Sequence, residues 1–218
     1  MKTCLALFAL ICAVMLAAVP AAADNILYEN GPINGETDAW TINFGFVMSD
    51  SITISTGQST ITGLSFGAWL FPGDTLETVE VSLTSFPDGG TTYFDQVVSF
   101  TASACFENNY AYNVCTETGF FNGPTLGNGT YYLNLQNAVV NNGDPVYWDE
   151  NSGIGCHSPG CPSQAGSGLG SDPSEAFSIL GTATTTTTTG TVPEPGSLML
   201  FASGVLGAAA LLRRKFLG

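Results

Sequence analysis

The segment GDPVYWDENSG holds the densest group of oxygen-bearing side chains in the chain. Its carboxylates are Asp144, Asp149 and Glu150, and Asn142 and Asn151 lie beside them. Ca²⁺ takes about six to eight oxygen ligands, so the three carboxylates form a candidate calcium site, although their spacing does not follow an EF-hand loop. A solvated acidic turn is the favoured alternative. We therefore expect no cofactor, with Ca²⁺ as the one candidate metal ion.

The same carboxylates could serve a polysaccharide hydrolase, because glycoside hydrolysis requires one pair of acidic side chains. Asp149 and Glu150 are adjacent, however, and adjacent residues of a strand point to opposite faces. Catalysis also needs carboxyls of different pKa, and residues 24–192 contain no Lys or Arg that could lower one of them. We expect a non-catalytic protein, with the hydrolase as the alternative.

Aromatic side chains offer a second kind of chemistry, because their ring faces stack on the C–H faces of sugars. Strand alternation places Trp69 on the face opposite to Ala68 and Leu70, and it turns Tyr132 away from its own neighbours. Together with Trp148, these residues are candidate ligand-binding positions on a flat sheet. The favoured alternative is that the core and the loops bury the rings.

The charges of the chain are separated by sign. Seventeen of its eighteen acidic residues, all but Glu194, lie between Asp24 and Val192, whereas the four basic residues lie near the two ends. The segment between them can form no ion pair with a Lys or Arg of its own. Such a surface repels nucleic acid and anionic lipid headgroups, but it is compatible with neutral sugars and divalent cations.

Short apolar runs with period-two alternation predict strands and hardly any helix. One predicted strand places Ile42, Phe44, Phe46 and Met48 on the same face, and another slips near Gly63 in a way that indicates a bulge. Turn-forming Gly, Pro, Asn and Asp residues separate eight or nine such runs. This spacing predicts an all-β domain, an antiparallel, jelly-roll-like β-sandwich, with a closed barrel as the alternative.

Two polar segments interrupt this pattern. Residues 151–174 have almost nothing to bury, so we expect one long surface loop before a last strand at residues 175–180. Residues 182–191 form a threonine tract, which predicts an extended, disordered stalk. The β-sandwich domain is accordingly predicted to span residues 24–181.

The N-terminal residues 1–23 have the features of a secretory signal peptide. Lys2 precedes an apolar run from Cys4 to Val19, and the small residues 21–23 provide a cleavage site before Asp24. Four cysteines remain after its removal: Cys105, Cys115, Cys156 and Cys161. An even number in an exported chain favours two disulfides. Of three possible connectivities we prefer the local one, Cys105–Cys115 with Cys156–Cys161, over a metal site at the second pair.

The last segment, residues 192–218, combines a Pro-Glu-Pro motif, an uncharged run at residues 197–212 and a basic end. The run predicts a single apolar helix of roughly 24 Å at about 1.5 Å per residue, and its basic end should stay in the cytoplasm. This tail resembles the PEP-CTERM sorting signal. The candidate sorting residues are Pro193, Glu194, Pro195, Arg213 and Arg214.

The resemblance implies processing by an enzyme of the exosortase family in a Gram-negative bacterium. We expect transient anchoring in the inner membrane, followed by release to the cell surface or the extracellular matrix. The segments FGAWLFPGDTLETVEVSLTS and YYLNLQNAVVNNGDPVYWDENSG are similar to parts of other small exported proteins with this signal, for which no activity is assigned. The expected delivery outside the cell, together with the aromatic side chains described above, leads us to expect a protein associated with exopolysaccharide that binds glycan weakly.

Overall fold

Strands joined by turns make up the backbone of the protein in this computed structural model. The structure describes residues 25–36, 38–151, 163–165, 170–172 and 174–184, which belong to one compact unit ending at Thr185. This part of the chain contains fourteen strands: β1 (Asn25–Glu29), β2 (Ala39–Thr41), β3 (Val47–Ile54), β4 (Gln58–Leu70), β5 (Leu76–Phe86), β6 (Gly89–Ser99), β7 (Thr101–Glu107), β8 (Asn113–Phe120), β9 (Thr125–Leu126), β10 (Gly129–Val140), β11 (Tyr147–Asp149), β12 (Ser163–Ala165), β13 (Gly170–Asp172) and β14 (Phe177–Thr184).

The first sheet has eight strands and is built around β4, the longest strand. On one side β4 pairs with β14 and, further along, with β11, which continues to β2. On its other side it pairs with β9 and β8, and β7 is the edge strand beyond β8. Because β11 and β8 both pair with the C-terminal part of β4, that part of the strand is enclosed from both sides.

The second sheet has six strands in the order β13-β12-β3-β10-β5-β6. Its inward positions follow the predicted alternation, since Val79, Val81 and Leu83 are all buried. They belong to one hydrophobic core together with inward residues of the first sheet such as Phe66 and Phe177. Two antiparallel sheets over a shared core confirm the predicted sandwich in preference to the closed barrel.

The bulge predicted near Gly63 is also confirmed. The register between β4 and β14 shifts where Leu180 pairs with Gly63 and Gly181 pairs with Ile61, which leaves Thr62 as the additional residue. An extra residue on one strand restores the inward direction of the apolar positions that follow. The slip in the sequence pattern therefore corresponds to a real irregularity of the sheet.

The predicted strand from Ile42 to Met48 is wrong in its first half. Residues 43–46 form a tight turn closed by a 3.1 Å hydrogen bond from the Phe46 N–H to the Asn43 carbonyl. Phe44 and Gly45 both have positive φ angles, 56° and 86°. Phe44 and Phe46 are consequently exposed, and β3 begins only at Val47.

Two other predicted boundaries need correction. The last strand, β14, continues beyond Leu180 to Thr184, so the first three residues of the predicted stalk pair with residues 58–60 of β4. The segment at 151–174 is not entirely a loop, because β12 and β13 add two short strands to the second sheet next to β3. The number of strands in the described residues accordingly exceeds the eight or nine expected.

Several predictions fall outside the described residues. They are the signal peptide at 1–23, the second disulfide Cys156–Cys161, the rest of the threonine tract and the apolar helix at 197–212. Within the described ranges, the chain forms no helix with the length and hydropathy needed to span a membrane. These features stay predictions.

Candidate functional site

An aromatic pocket lies at the end of the first sheet where β4 is enclosed. Trp69 of β4 and Tyr147 of β11 are paired in register, so their side chains emerge side by side on the same face of the sheet. The neighbouring Ala68 and Trp148 are fully buried, which places Trp69 and Tyr147 on the face opposite to the core. Four further residues complete the lining of a cavity of about 300 Å³: Asp38, Ala39, Tyr110 and Tyr112.

The rings of this pocket are in mutual contact. Tyr110 stacks on Trp69 with ring centroids 5.7 Å apart and an angle of 24° between the planes. Tyr112 is tilted against Trp69 at 5.7 Å and meets the edge of Tyr147 at 5.6 Å. Tyr110 covers Trp69, which is only 5% exposed, while Tyr110 itself is 57% exposed. The pocket thus presents aromatic surface that is backed by further aromatic rings.

Asn108 organises the turn that carries the two tyrosines. Its side-chain oxygen accepts hydrogen bonds of 3.0 Å from the backbone N–H groups of both Tyr110 and Tyr112. Its backbone N–H donates to the Tyr112 carbonyl, and Ala111 takes a left-handed conformation with φ of 63°. An Asn side chain that binds nearby N–H groups stabilises such turns.

A disulfide fixes the strands on either side of this turn. Cys105 of β7 and Cys115 of β8 face each other in register and are joined by a bond, as predicted. The two cysteines are ten positions apart, and the segment between them contains Tyr110 and Tyr112. Because β7 is an edge strand with every residue exposed, the disulfide is its covalent attachment to the sheet. It therefore restricts the positions that both tyrosines can take.

Asp149 holds the indole ring of Trp69 by its N–H edge. Its Oδ1 atom accepts a 2.6 Å hydrogen bond from Trp69 Nε1 and a 3.0 Å bond from the Gly35 N–H. Its Oδ2 atom accepts a 2.9 Å bond from the Asn34 N–H. Burial raises the pKa of the Asp149 carboxyl, and these three donors oppose that shift by stabilising its charged form. Asp149 is thus a positioning residue for the pocket.

Tyr147 is constrained by its neighbour as well as by the sheet. Burial raises the pKa of its hydroxyl, and a hydrogen bond with Tyr112 raises it further. The phenol therefore stays protonated and neutral at physiological pH. Together with the carboxylate of Asp38, it supplies polar groups to an otherwise aromatic surface, the combination typical of small-ligand sites.

The three predicted calcium ligands are not brought together as a site. Asp149 and Glu150 are both buried. Asp144 lies in a separate loop, where its backbone carbonyl accepts a 3.0 Å hydrogen bond from the Asn43 side chain. Within the described part of the chain, no three His, Cys, Asp or Glu side chains are grouped so that they could hold a metal ion. We expected Asp149 and Glu150 to point to opposite faces of a strand, and both side chains are nevertheless buried.

The three aromatic residues predicted to bind ligand lie in different environments. Trp69 forms part of the pocket wall. Trp148 is 0% exposed, packs on Phe66 and Phe177, and donates a 3.1 Å bond to the Ala176 carbonyl, so its selection as a surface ligand position was wrong. Tyr132 is half-buried on β10 of the other sheet and does not line the pocket.

Sequence reasoning missed most of the pocket. Asp38, Tyr110, Tyr112 and Tyr147 come from three separate parts of the chain, and only the fold brings them to Trp69. One local signal was present, namely the Tyr-x-Tyr pair inside the segment closed by Cys105 and Cys115. A short disulfide loop presents its side chains at low entropic cost, because the cross-link limits their freedom.

A second group of buried polar side chains surrounds Asp50 of β3. Its Oδ2 atom accepts hydrogen bonds from Asn30 Nδ2 at 3.0 Å, Ser174 Oγ at 3.0 Å and the Glu175 N–H at 2.9 Å. Burial raises the pKa of this carboxyl to about 7 despite these donors. The group ties the end of β1 and the start of β14 to the second sheet, which is a structural role.

Comparison with known proteins concerns the C-terminal segment. Residues 191–215 match the family model of the PEP-CTERM protein-sorting motif. The chain carries the PEP-CTERM motif. This motif marks an exported protein that is anchored transiently at the membrane and then processed by an exosortase-type enzyme. The comparison with curated proteins gives no match. The PEP-CTERM motif therefore identifies how the protein is sorted, and the function of the sandwich rests on its own geometry.

Proposed function

We propose that this protein is a non-catalytic component of the cell surface or extracellular matrix, where its sandwich binds glycan weakly through the aromatic pocket. The observation that carries the proposal is the cluster of Trp69 with three tyrosines around a cavity of about 300 Å³. Ring faces of Trp and Tyr bind the apolar faces of sugars, and phenol and carboxylate oxygens can bind sugar hydroxyls.

The PEP-CTERM motif supports this setting. A protein that is exported and then released from its anchor would meet the polysaccharides outside the cell, and this setting supports the proposed association with exopolysaccharide. The surface charge agrees with a neutral partner, because the described residues include acidic side chains but no Lys or Arg. A polyanionic glycan would be repelled from such a surface.

The alternative of a polysaccharide hydrolase has less support. Among the described lining residues, Asp38 is the single carboxylate of the pocket, while hydrolysis normally requires two carboxyls across the scissile bond. Asp149 accepts the indole N–H of Trp69, and both of its oxygens are bound to N–H donors, so it offers no free oxygen to a substrate. The geometry favours holding a sugar over cleaving it.

A glycan-binding and turnover screen of the purified full-length chain, with and without Ca²⁺, tests the proposal. We expect saturable binding without product, lost in Tyr110→Ala and retained in Tyr110→Phe, which keeps the ring. Tyr93→Ala is the matched control, because Tyr93 is also exposed but belongs to the second sheet. Product formation that Asp38→Asn abolishes would contradict the proposal in favour of the hydrolase. Absence of both binding and turnover would leave a purely structural coat protein.

A further inference from the structure

The four rings of the pocket share a property that a neutral sugar does not use. The face of an aromatic ring is the negative pole of its quadrupole and attracts cations, most strongly for Trp and then for Tyr. Trp69, Tyr110, Tyr112 and Tyr147 line one cavity from β4, the disulfide-closed turn and β11. Because Tyr110 covers Trp69, an ammonium group in this cavity would meet the tyrosine rings, with the indole lying beneath Tyr110.

The charges around the rings have the same sign. Asp38 adds a carboxylate to the lining of the cavity. Asp149 accepts the indole N–H of Trp69, and all three of its hydrogen-bond partners are N–H donors, which is the pattern of an acceptor-only, ionised carboxylate. Its negative charge lies at the N–H edge of the indole and adds to the negative potential of the aromatic cluster.

Nothing in the described part of the chain would compete with such a cation. These residues include no Lys or Arg side chain, so no internal ammonium or guanidinium can occupy the pocket or neutralise Asp38. A cation in the pocket would therefore not be supplied by the described residues, and a ligand with an ammonium group is a suitable source.

We propose that the aromatic pocket selects glycans with free amino groups, that is, protonated amino sugars, over their N-acetylated or unsubstituted counterparts. The proposal rests on the proposed function, since it names the class of sugar that the same pocket takes. N-acetylation converts the ammonium into a neutral amide and adds bulk, so it removes the attraction to the rings and to Asp38. Anionic sugars are disfavoured by the same two carboxylates.

The test compares matched ligands on the full-length chain. Oligosaccharides of 2-amino-2-deoxyglucose, their fully N-acetylated forms and glucose oligomers of equal length are titrated at pH 6 by calorimetry. We expect the amine-bearing form to bind about tenfold more tightly than the other two, as one cation–π contact with a nearby carboxylate allows. The preference should decrease at high salt, because ionic strength screens the interaction with Asp38.

Variants separate pocket binding from diffuse attraction to an acidic domain. Asp38→Asn should reduce the preference for the amine, and Tyr110→Ala should abolish it, whereas Tyr110→Phe and Tyr93→Ala should retain it. Equal binding of all three ligands that depends on Tyr110 would overturn the amino-sugar inference and leave the proposed function standing. Amine-dependent binding that Tyr110→Ala does not change would overturn it as diffuse charge attraction. Absence of any Tyr110-dependent binding would overturn both.

Discussion

Glu117 is a carboxyl placed in an apolar environment. It lies on the inward face of β8, paired with Phe66 of β4 and flanked by the buried Cys115. It is 1% exposed, and its Oε2 atom has no hydrogen-bond partner among the described residues. Burial raises the pKa of the carboxyl from an ordinary value of 4.5 to about 7. Folding therefore favours the protonated form of this side chain.

This shift predicts how the stability of the sandwich depends on pH. The contribution of Glu117 to the free energy of unfolding is fully present below pH 4.5, where the carboxyl is protonated in the folded and the unfolded chain. This contribution is lost as the pH rises through about 7, because the carboxyl ionises at a lower pH in the unfolded chain than in the folded one. Asp50, with a pKa also raised to about 7, acts in the same direction. Glu117→Gln should recover about 1–3 kcal/mol of the free energy of unfolding at pH 8 and little at pH 4.5.

Urea unfolding at the two pH values measures this effect. Glu77→Gln is the control, because it removes one negative charge from an exposed position of β5. An equal gain in stability for both variants would mean that overall charge repulsion, rather than the burial of Glu117, controls the pH dependence.

Strand alternation predicts which face of a sheet a side chain lies on, but it does not predict which distant residues cover that face. Alternation correctly placed Trp69 opposite to Ala68 and Leu70, but it could not show that the turn carrying Tyr110 would cover the indole. For Trp148 the pattern was ambiguous, because its neighbour Tyr147 is also aromatic and either ring could have faced the core. Trp148 is the ring that faces the core, where it packs on Phe66 and Phe177 from strands distant in sequence.

At the scale of elements, β7 depends on one partner strand and one covalent bond. It pairs only with β8 among the described strands, and the Cys105–Cys115 disulfide holds the two together. A disulfide between cysteines ten positions apart stabilises the fold by about 2–3 kcal/mol in the chain-entropy account. The Cys105→Ala/Cys115→Ala variant should lose about this amount of stability, and the amides of residues 101–107 should exchange faster with deuterium.

The same variant should bind ligand less tightly at the pocket, since the turn with Tyr110 and Tyr112 loses its restraint. Reduction of the wild-type protein by a thiol is the parallel experiment and should reproduce the result. Unchanged protection of the β7 amides after removal of the disulfide would show that strand pairing alone fixes this edge.

A second element-level prediction concerns the bulge between β4 and β14. A Cβ atom on Gly181 would lie against the carbonyl oxygen of Thr60 and would contact Leu27. Gly181→Ala should therefore cost about 1–3 kcal/mol of stability, because overpacking at backbone displaces the strands. Gly127→Ala is the matched control, since a Cβ there meets no atom within 4 Å and should be neutral. Thermal unfolding of both variants distinguishes a local steric effect from a general effect of glycine replacement.

Elements with clear alternation, such as Val79 to Leu83 of β5, could be predicted because burial on one face imposes period two. The turn at residues 43–46 could not, since it requires a positive φ at Phe44, a conformation that bulky side chains disfavour. The extension of β14 was missed for another reason. A threonine tract indicates disorder by its composition, yet threonine suits a strand, and residues 58–60 provide the partner.

For the whole molecule, the N-terminal signal-peptide features and the PEP-CTERM motif together predict two cleavages. Export should remove residues 1–23, and the exosortase-type enzyme should cut near Pro193–Pro195, so the mature protein lacks the basic end at residues 213–215. Intact-mass analysis of the surface fraction measures both ends at once. A surface form that still contains Arg213 would indicate a permanent single-pass anchor, and the membrane fraction of the same cells is the control for the precursor.

The absence of basic side chains from both sheets has a practical consequence. Proteases that cleave after Lys or Arg find no site anywhere between residues 3 and 212. Trypsin-like enzymes therefore cannot fragment the sandwich, even when a strand opens. Amine-reactive labels likewise have no lysine to modify in this stretch. Enzymes that cleave beside acidic or aromatic side chains are the ones that would digest this protein and reveal it in a surface proteome.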